Sequence, residues 1–510
     1  MKILQICHEN WSQKYQIDSD FEWFFLDPQS DAAFDANLAG IFEVVIISSF
    51  ISSADLELLS PLLLPYTIII DKSLQVQFDE SFANFLKMKA PEFVDISDPQ
   101  TLINQIPKMF FSGQFGDKLL PRKILFSPFH KEKVWFEGTK YISTDIDFGD
   151  TSKQLLFWKL SIPYESNWDM SIWPEFIHSE GCFVEFDIQF YVTDNPNTIY
   201  FKKRYTESEL QEPIHFSQPQ SGYIVCSVFA SGKGRIKMGP IHYRHNRLGL
   251  GEFIPGGKRL VDKNREELFY YFHPCNLKPP FNIYFGDYQK TTEGFESMSL
   301  MKNLAHPFLI FTDPRLEGGS FYIGSAELEK KVENVIAEHM KMLNITAKDV
   351  ILSGLSMGSF AALYYGFRLE PLAIIVGKPI LDLQYVADRV RLNRPYDFLT
   401  ILDIVEFWNK TDEQDRLIPL VQFQEDMKTS WAAGSGFGDT KLYLARMIQD
   451  DYDDMAYYHL LETQSGKETT IISRGFQGRH NDQETTILIW FQNQYVKVLR
   501  EYEKIQKGEG

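Results

Sequence analysis

The pattern of hydrophobic and polar residues changes twice along the chain and predicts three domains. Up to residue 115, short apolar runs alternate with helix-like stretches such as Ala54–Leu59. This alternation predicts a small open α/β domain over residues 1–115. Its predicted strands are Lys2–Ile6, Val44–Ile47 and Thr67–Ile70.

Residues 116–275 show a different texture, in which helical periodicity is nearly absent. Short runs of alternating hydrophobic and polar residues, such as Cys182–Ile188, are separated by turn residues. This pattern predicts a β-sandwich. Its aromatic residues favour a packed core, with a sugar-stacking face as the alternative; they include Trp158, Trp168, Trp173 and Tyr191.

From residue 276 to residue 510, strand and helix patterns alternate regularly. Within Ala326–Leu343, apolar residues recur at three- and four-residue steps, as in an amphipathic helix. We expect a doubly wound parallel sheet of the α/β-hydrolase type, with Pro379–Thr440 as a long insertion. The predicted strands are Phe281–Phe285, Phe308–Phe311, Val350–Leu352, Leu372–Val376, Leu442–Ile448 and Thr469–Ile472.

Composition and charge narrow the possible classes of function. The 510 residues carry a net charge of −18, which disfavours a nucleic-acid partner. The N-terminal sequence lacks the apolar core of a signal peptide and no long apolar run follows, so a cytoplasmic protein without membrane insertion is expected. The four cysteines are far apart in sequence, which predicts reduced, buried thiols and no metal site; they are Cys7, Cys182, Cys226 and Cys275.

The sequence GLSMG, residues 354–358, follows a predicted strand and precedes a predicted helix. A sharp turn at this point raises the hydroxyl group of Ser356 above the carboxyl edge of the sheet. Serine becomes a nucleophile only when a base accepts its proton. The position of Ser356 therefore predicts a nucleophile that requires a histidine nearby.

His480 is the predicted base because it lies in a glycine-containing loop after the last strand. The carboxylate that orients it is expected after the penultimate strand, which gives the order Ser, Asp, His. Three residues meet this condition: Asp450 is the first choice, Asp451 the second, and Asp453 is alternatively a cap for the helix that begins near Met455.

Acyl transfer also requires backbone donors for the oxyanion of the tetrahedral intermediate. The amide of Met357, directly after the nucleophile, is the first predicted donor. The second is expected in the loop after Phe281–Phe285, where Gly286 is either a donor or an ordinary turn residue.

Four stretches of this chain together carry a resemblance to a known family; they are GLSMGSF, QDDYDD, SRGFQGRHND and the N-terminal MKILQICHENW. They resemble the accessory Sec secretion proteins of the second Asp type, which occur with serine-rich-repeat adhesins of Gram-positive bacteria. The resemblance implies an α/β-hydrolase-like domain that O-acetylates N-acetylglucosamine on the glycosylated adhesin before export. It also implies Ser356 as nucleophile, His480 as base and an acid before Tyr452.

The same resemblance implies partners and a location. The partners are the other accessory Asp proteins, the dedicated Sec ATPase and the adhesin, and they would recruit a cytoplasmic protein to the membrane exporter. No bound cofactor is expected, although an acetyl donor is required. Without the resemblance, the residues alone do not distinguish an acetyltransferase from a carbohydrate esterase with the same triad, and a non-catalytic export adaptor is a further alternative.

Overall fold

The computed structural model describes residues 1–29, 40–195, 197–393, 400–401, 403, 437–463 and 469–508. Most of the predicted insertion, residues 394–436 except 400, 401 and 403, lies outside the described residues. The chain divides into two compact units. The first comprises residues 1–114, 246–258 and 272–277, and the second comprises residues 115–245, 259–271 and 278–510.

The first unit contains a parallel sheet of five described strands in the order β2-β1-β3-β4-β5. Apolar side chains cover both faces of this sheet, as expected of a parallel sheet with helices on its faces. Its elements are β1 (Lys2–Ile6), β2 (Glu22–Leu26), β3 (Val44–Ile47), α1 (Ser53–Leu59), β4 (Ile68–Asp71), α2 (Ala83–Lys89), β5 (Glu92–Val94) and α3 (Pro99–Met109).

The first unit is completed by a segment that comes much later in the sequence. The buried guanidinium group of Arg247 donates hydrogen bonds of 3.0, 3.0 and 2.7 Å to the carbonyl oxygens of Met109, Phe111 and Gly113. The predicted domain 1–115 therefore lacked residues 246–258 and 272–277. Sequence patterning could not add them because their contacts join residues more than 130 positions apart.

In the second unit, ten described strands form one connected sheet, in contrast to the two separate sheets of a simple sandwich. The long β15 makes this connection, since it pairs with β12 in its first half and with β6 near its end. The strands are β6 (Gly116–Leu119), β7 (Ile124–Phe126), β8 (Val134–Glu137), β9 (Tyr141–Trp158), β10 (Ile162–Tyr164), β11 (Asp169–His178), β12 (Cys182–Val192), β13 (Ile199–Tyr205), β14 (Ile214–Phe216) and β15 (Gly222–Asn246).

The aromatic residues of this ten-stranded sheet have different environments. Trp158 and Trp173 are each only 2% exposed, so neither can form a sugar-binding surface. Trp168 stacks on His245 with ring centroids 5.5 Å apart. Tyr191 is half-buried and lies opposite Tyr223 on the neighbouring strand, where Tyr223 is 45% exposed.

A further sheet, most of whose residues belong to the second unit, has eight described strands in the order β16-β17-β19-β18-β20-β21-β22-β23. The last six of these strands pair in parallel. They are β16 (Lys258–Val261), β17 (Glu267–His273), β18 (Phe281–Phe285), β19 (Phe308–Thr312), β20 (Val350–Leu355), β21 (Ala373–Gly377), β22 (Lys441–Met447) and β23 (Thr470–Phe476).

The predicted boundary between residues 275 and 276 does not coincide with the limit of this sheet, because β16 and β17 belong to it. Helices join or follow its parallel strands: α4 (Met298–Asn303), α5 (Ala326–Leu343), α6 (Met357–Leu369), α7 (Leu383–Asn393), α8 (Ala456–Thr463) and α9 (Glu484–Gln506). Among the described residues, no helix has both the length and the apolar character needed to span a membrane.

Local sequence explains the bounds of α5, which coincide with the predicted helix. The side chain of Ser325 accepts a hydrogen bond from the amide of Leu328 and so caps the first turn. Asn344 ends the helix in a left-handed conformation with φ of 55°. The apolar stripe of the helix, including Val332 and Ile336, is buried.

All four cysteines are among the described residues, and none of them is part of a disulfide bond. Cys7, Cys182 and Cys226 are buried, whereas Cys275 is half-buried, in contrast to the prediction that all four would be buried.

Candidate active site

Ser356 occupies the sharp turn between β20 and α6, with φ of 46° and ψ of −113°. The two glycines of GLSMG are required by close backbone packing at this turn. A Cβ atom on Gly354 would lie 2.2 Å from the carbonyl oxygen of Gly358, and one on Gly358 would lie 2.1 Å from that of Phe285. Side chains at either position would therefore clash with the backbone, which explains the glycine spacing around Ser356.

His480 lies in the loop between β23 and α9 and is 1% exposed. Its Nε2 is 2.8 Å from Oγ of Ser356, a normal hydrogen-bond distance. The structure therefore brings together the serine and the histidine predicted from the sequence, although 124 positions separate them in the chain.

Asp450, which lies three residues after the end of β22, contacts the other nitrogen of the imidazole ring. Nδ1 of His480 is 3.0 and 3.1 Å from the two carboxylate oxygens of Asp450. Because an ionised carboxylate can only accept hydrogen bonds, Nδ1 carries the proton and Nε2 is free to accept the proton of Ser356. This tautomer is the one that a general base requires.

The charge of Asp450 is stabilised despite its burial. Burial alone would raise the pKa of this carboxyl group. The hydrogen bond and charge of His480, together with the backbone amides of Tyr452 and Asp453, outweigh burial and hold the pKa below its usual value. Asp450 therefore remains ionised at neutral pH.

The two other predicted aspartates contact different groups. Asp451 accepts a hydrogen bond of 3.0 Å from the backbone amide of His480 and so binds the loop that carries the histidine. Asp453 accepts hydrogen bonds from the amides of Leu381 and Asp382, directly before α7. It does not cap the helix after Met455, as the sequence suggested.

Tyr452 is a residue of the site that the sequence analysis did not assign. Its ring stacks on the imidazole of His480, with centroids 4.2 Å apart and planes inclined by 17°. The stack restricts rotation of the imidazole and places an aromatic face against a ring that becomes charged when it accepts a proton. Its position among the aspartates of the QDDYDD stretch was the feature of the sequence that could have identified it.

The predicted oxyanion donors have acceptors within the protein. The amide of Met357 donates a hydrogen bond of 3.3 Å to Oδ1 of Asp287. The amide of Gly286 donates to the carbonyl oxygen of Phe311 at 3.0 Å and extends the pairing of β18 with β19. Gly286 is therefore part of the sheet hydrogen bonding, in contrast to the two roles considered for it, a second oxyanion donor and an ordinary turn residue.

Fold and site together define a class of protein. The central strand β20 of a parallel sheet ends in a serine flanked by glycines, and an aspartate and a histidine that contact one another follow after later strands. This is the arrangement of the α/β-hydrolase class.

The family is defined by comparison with known proteins. Residues 1–504 match the family of the second Asp type, described as "Accessory Sec system GspB-transporter", and this chain belongs to that family. It is 33% identical to the accessory Sec system protein of this type from Staphylococcus aureus (strain NCTC 8325 / PS 47), over 100% of this chain and 98% of that protein. It is 32% identical to the corresponding protein of Streptococcus gordonii, over 99% of this chain and 98% of that protein.

A solved structure resembles this chain over nearly its whole length. It belongs to the Glycosylation Associate Protein (Gap123) complex from Streptococcus agalactiae, with a TM-score of 0.85 and 32% identity. The similarity covers 98% of each chain.

Proposed function

We propose that this protein is a serine-dependent O-acetyltransferase that acetylates N-acetylglucosamine on a serine-rich-repeat glycoprotein and supports its export. The observation that carries the proposal is the hydrogen-bonded series of Ser356, His480 and Asp450 at the carboxyl edge of the sheet. Membership of the accessory Sec family supports the choice of substrate.

The mechanism has two acyl-transfer steps. In the first, Oγ of Ser356 attacks the acetyl carbonyl carbon while Nε2 of His480 accepts the hydroxyl proton. The tetrahedral intermediate collapses to an acetyl-serine ester, and the leaving group departs with the proton from His480. The amide of Met357 is the proposed donor to the oxyanion of this intermediate.

In the second step, a hydroxyl group of the sugar replaces the leaving group. His480 accepts the proton of that hydroxyl as its oxygen attacks the acetyl-serine, and the sugar ester forms as Ser356 recovers its proton. Asp450 stays ionised throughout and stabilises the imidazolium ion. The acetyl donor is a second substrate, and no bound cofactor is proposed.

The proposed partners and location follow from the family. The related structure is a Gap123 complex, which supports assembly of this chain with the other accessory Asp proteins. We propose the dedicated Sec ATPase and the glycosylated adhesin as further partners, and a cytoplasmic location from which these partners recruit the protein to the membrane exporter. Direct insertion into the membrane and binding of nucleic acid are not part of the proposal.

Two alternative functions are distinguished by one experiment. A carbohydrate esterase would use the same three residues with water as the acyl acceptor. An export adaptor would act through its partners, for which the relative within the Gap123 complex is the supporting observation. The experiment is mass analysis of adhesin sugars from cells that carry Ser356→Ala.

Loss of acetyl groups in these cells is the expected result and supports acetyl transfer. A gain of acetyl groups would instead indicate an esterase, and unchanged sugars would indicate an adaptor. His480→Ala should reproduce the loss. Ser356→Ala should keep the melting temperature and the partner binding of the wild-type protein. His480→Ala should remain folded and keep partner binding, but with a lower melting temperature, because the buried carboxylate of Asp450 loses its imidazole partner.

A further inference from the structure

The position expected for an oxyanion in this site is held by an acidic side chain of the protein itself. Oδ1 of Asp287 accepts the hydrogen bond of the Met357 amide, which is the donor that follows the nucleophile. The same oxygen accepts a shorter hydrogen bond of 2.7 Å from the amide of Tyr288. One atom of a carboxylate therefore occupies the place where the oxygen of an acyl group would bind.

This arrangement opposes catalysis in two ways. The hydrogen bond from Met357 to Asp287 must break before that amide can reach a substrate carbonyl. A carboxylate that stayed beside the site would also repel the negative charge of the tetrahedral intermediate, and such repulsion is strong where water is excluded. The amide of Gly286 offers no alternative, since it donates to Phe311.

The backbone amide of Asp287 is bound by a side chain of the protein, whereas its carboxylate has two described hydrogen bonds, both from backbone amides. The amide of Asp287 donates a hydrogen bond of 2.6 Å to Oε1 of Glu296, which also accepts the hydroxyl group of Tyr284. The described hydrogen bonds of the Asp287 carboxylate come only from the backbone amides of Met357 and Tyr288. The half-buried Asp287 precedes the exposed Tyr288, so the side chain can turn toward solvent without moving the sheet.

The electrostatic surroundings are consistent with a side chain that leaves this position. Burial raises the pKa of Asp287, and the amides of Tyr288 and Met357 and the charges of His480 and Lys378 oppose that rise. Burial and the charge of Asp287 raise the pKa of Glu296 to about 7. Two acidic groups thus lie close together here, and the charge of Asp287 makes ionisation of Glu296 less favourable.

Building on the proposed function, we propose that Asp287 is a specificity-determining residue whose carboxylate occupies the oxyanion position in the free protein. A donor must displace it, so only a substrate with enough binding energy elsewhere in the site opens the position for its carbonyl oxygen. Small esters lack that binding energy and react slowly. The protein therefore uses part of its donor-binding energy for selectivity, as in other induced-fit enzymes.

The test measures the rate at which an alkyl fluorophosphonate labels Ser356. In this reaction the Oγ–phosphorus bond forms, the phosphorus–fluorine bond breaks, fluoride leaves and the serine proton passes to His480. The phosphoryl oxygen needs the same oxyanion position as an acyl oxygen. The probe has few other contacts, so its rate reports how accessible that position is. The site of labelling is identified by mass spectrometry of the full-length protein, with Ser356→Ala as the negative control.

We expect Asp287→Ala to label at least about tenfold faster than the wild-type protein, since one oxyanion donor is worth about 10²- to 10³-fold in rate. Asp287→Asn keeps the shape of the side chain without its charge and should show a smaller increase. Glu503→Gln, which removes an exposed carboxylate from α9, should label at the wild-type rate. Hydrolysis of p-nitrophenyl acetate should rank the four proteins in the same order.

The labelling results distinguish failure of the role proposed for Asp287 from failure of the proposed nucleophile Ser356. Equal or slower labelling of a folded Asp287→Ala protein, when Ser356 of the wild-type protein is labelled, overturns the role of Asp287 and leaves the proposed nucleophile intact. Absence of labelling at Ser356 in every folded variant overturns both. Melting temperatures of all variants establish that they are folded.

Discussion

The candidate site is formed at the residue scale by neighbouring aspartates that contact different groups on and around one histidine. Asp450 binds the imidazole ring of His480, whereas Asp451 binds its backbone amide. Spacing could reduce the choice to these residues but could not separate them. Adjacent side chains after a strand point in different directions, and the path of the loop that carries His480 decides which of them reaches the ring.

Substitution of the two aspartates should separate their roles. Asp450→Asn should lower the rate of acyl transfer by about 10³- to 10⁴-fold, because an amide favours the wrong tautomer of His480. Asp451→Asn keeps an oxygen that can accept the backbone hydrogen bond, so its loss should stay below about tenfold. The measurement is kcat for acetyl transfer, with melting temperatures as the folding control. A larger loss for Asp451→Asn would exchange the two assignments.

The two oxyanion donors could be predicted from the sequence only in part. Met357 was predicted from its position after Ser356, and its amide donates a hydrogen bond to Asp287. Gly286 was predicted from its place after β18, but its amide continues the sheet to Phe311. The sequence cannot tell where a strand stops pairing, since that depends on a neighbouring strand that lies further along the chain.

At the scale of elements, the best predicted feature is the turn from β20 to α6. An apolar run, a glycine-flanked serine and a helix-forming stretch follow one another directly in the sequence. Such a feature depends only on neighbouring residues, so the sequence predicts it well. The predicted helix Ala326–Leu343 is confirmed to the residue for the same reason. The predicted boundary falls after β16 and β17 because their hydrophobic pattern continues that of the preceding residues. Their membership of the later sheet depends on the pairing of β17 with β19, which is distant in sequence.

Gly358→Ala should disrupt this turn. The added Cβ atom would lie 2.1 Å from the carbonyl oxygen of Phe285, and neither backbone can move away without disturbing the sheet. We expect a loss of stability of about 2–4 kcal/mol and loss of acyl transfer. Gly149→Ala is the matched control, because its φ of 56° imposes strain while no atom lies within 4 Å of the new Cβ. Similar melting temperatures for the two variants would contradict the clash.

Asp453 should make stability depend on pH through the start of α7. Burial raises its pKa to about 6, although two backbone amides favour the charged form. A group with a raised pKa in the folded state contributes stability below its unfolded pKa, near 3.8, and loses that contribution as the pH rises through about 6. At neutral pH, the lost contribution amounts to about 3 kcal/mol.

Asp453→Asn removes this titration. Its melting temperature should exceed that of the wild-type protein above about pH 6, and the difference should shrink as the pH falls toward about 4. Thermal unfolding across this range is the measurement. Glu503→Gln, which changes an exposed carboxylate of α9, serves as the control for a general charge effect. A constant difference at all pH values would contradict the assignment of the titration to Asp453.

At the scale of the whole molecule, the three predicted regions correspond to three sheets within the part of the chain that the structure describes. The hydrophobic pattern of the middle region correctly indicated an all-β structure. The hydrophobic pattern could not show which aromatic residues of this region are exposed to solvent. Two of the four aromatic residues considered for sugar binding are buried core residues, whereas Tyr191 lies beside an exposed tyrosine that had not been considered. In an antiparallel pair, opposite residues share a face of the sheet, so Tyr191 and Tyr223 form one aromatic surface.

If this surface holds glycan, Tyr191→Ala and Tyr223→Ala should each weaken binding of glycosylated adhesin by roughly 3- to 10-fold, which corresponds to the loss of one ring contact. Turnover of a small activated ester at Ser356 should not change. Phe183→Ala, at the other end of β12 and also exposed, is the control for a general effect of removing an aromatic side chain. Equal binding of glycosylated and unglycosylated adhesin by the wild-type protein would argue against a glycan site here.

The hydrogen bonds of Arg247 to the carbonyl groups of residues 109–113 affect when the first unit can complete its fold during synthesis of the chain. The segment of residues 1–114 leaves the ribosome without the partners that complete its fold, and the last of them, at residue 277, follows about 160 residues later. At synthesis rates of about 5–20 residues per second, this is a delay of roughly 10–30 s. During that time all five described strands of the parallel sheet are present, but the carbonyl oxygens of Met109, Phe111 and Gly113 lack the guanidinium group of Arg247 until that residue has been added. The first unit can therefore complete its fold only after the chain has been synthesised to residue 277, although most of its residues leave the ribosome much earlier.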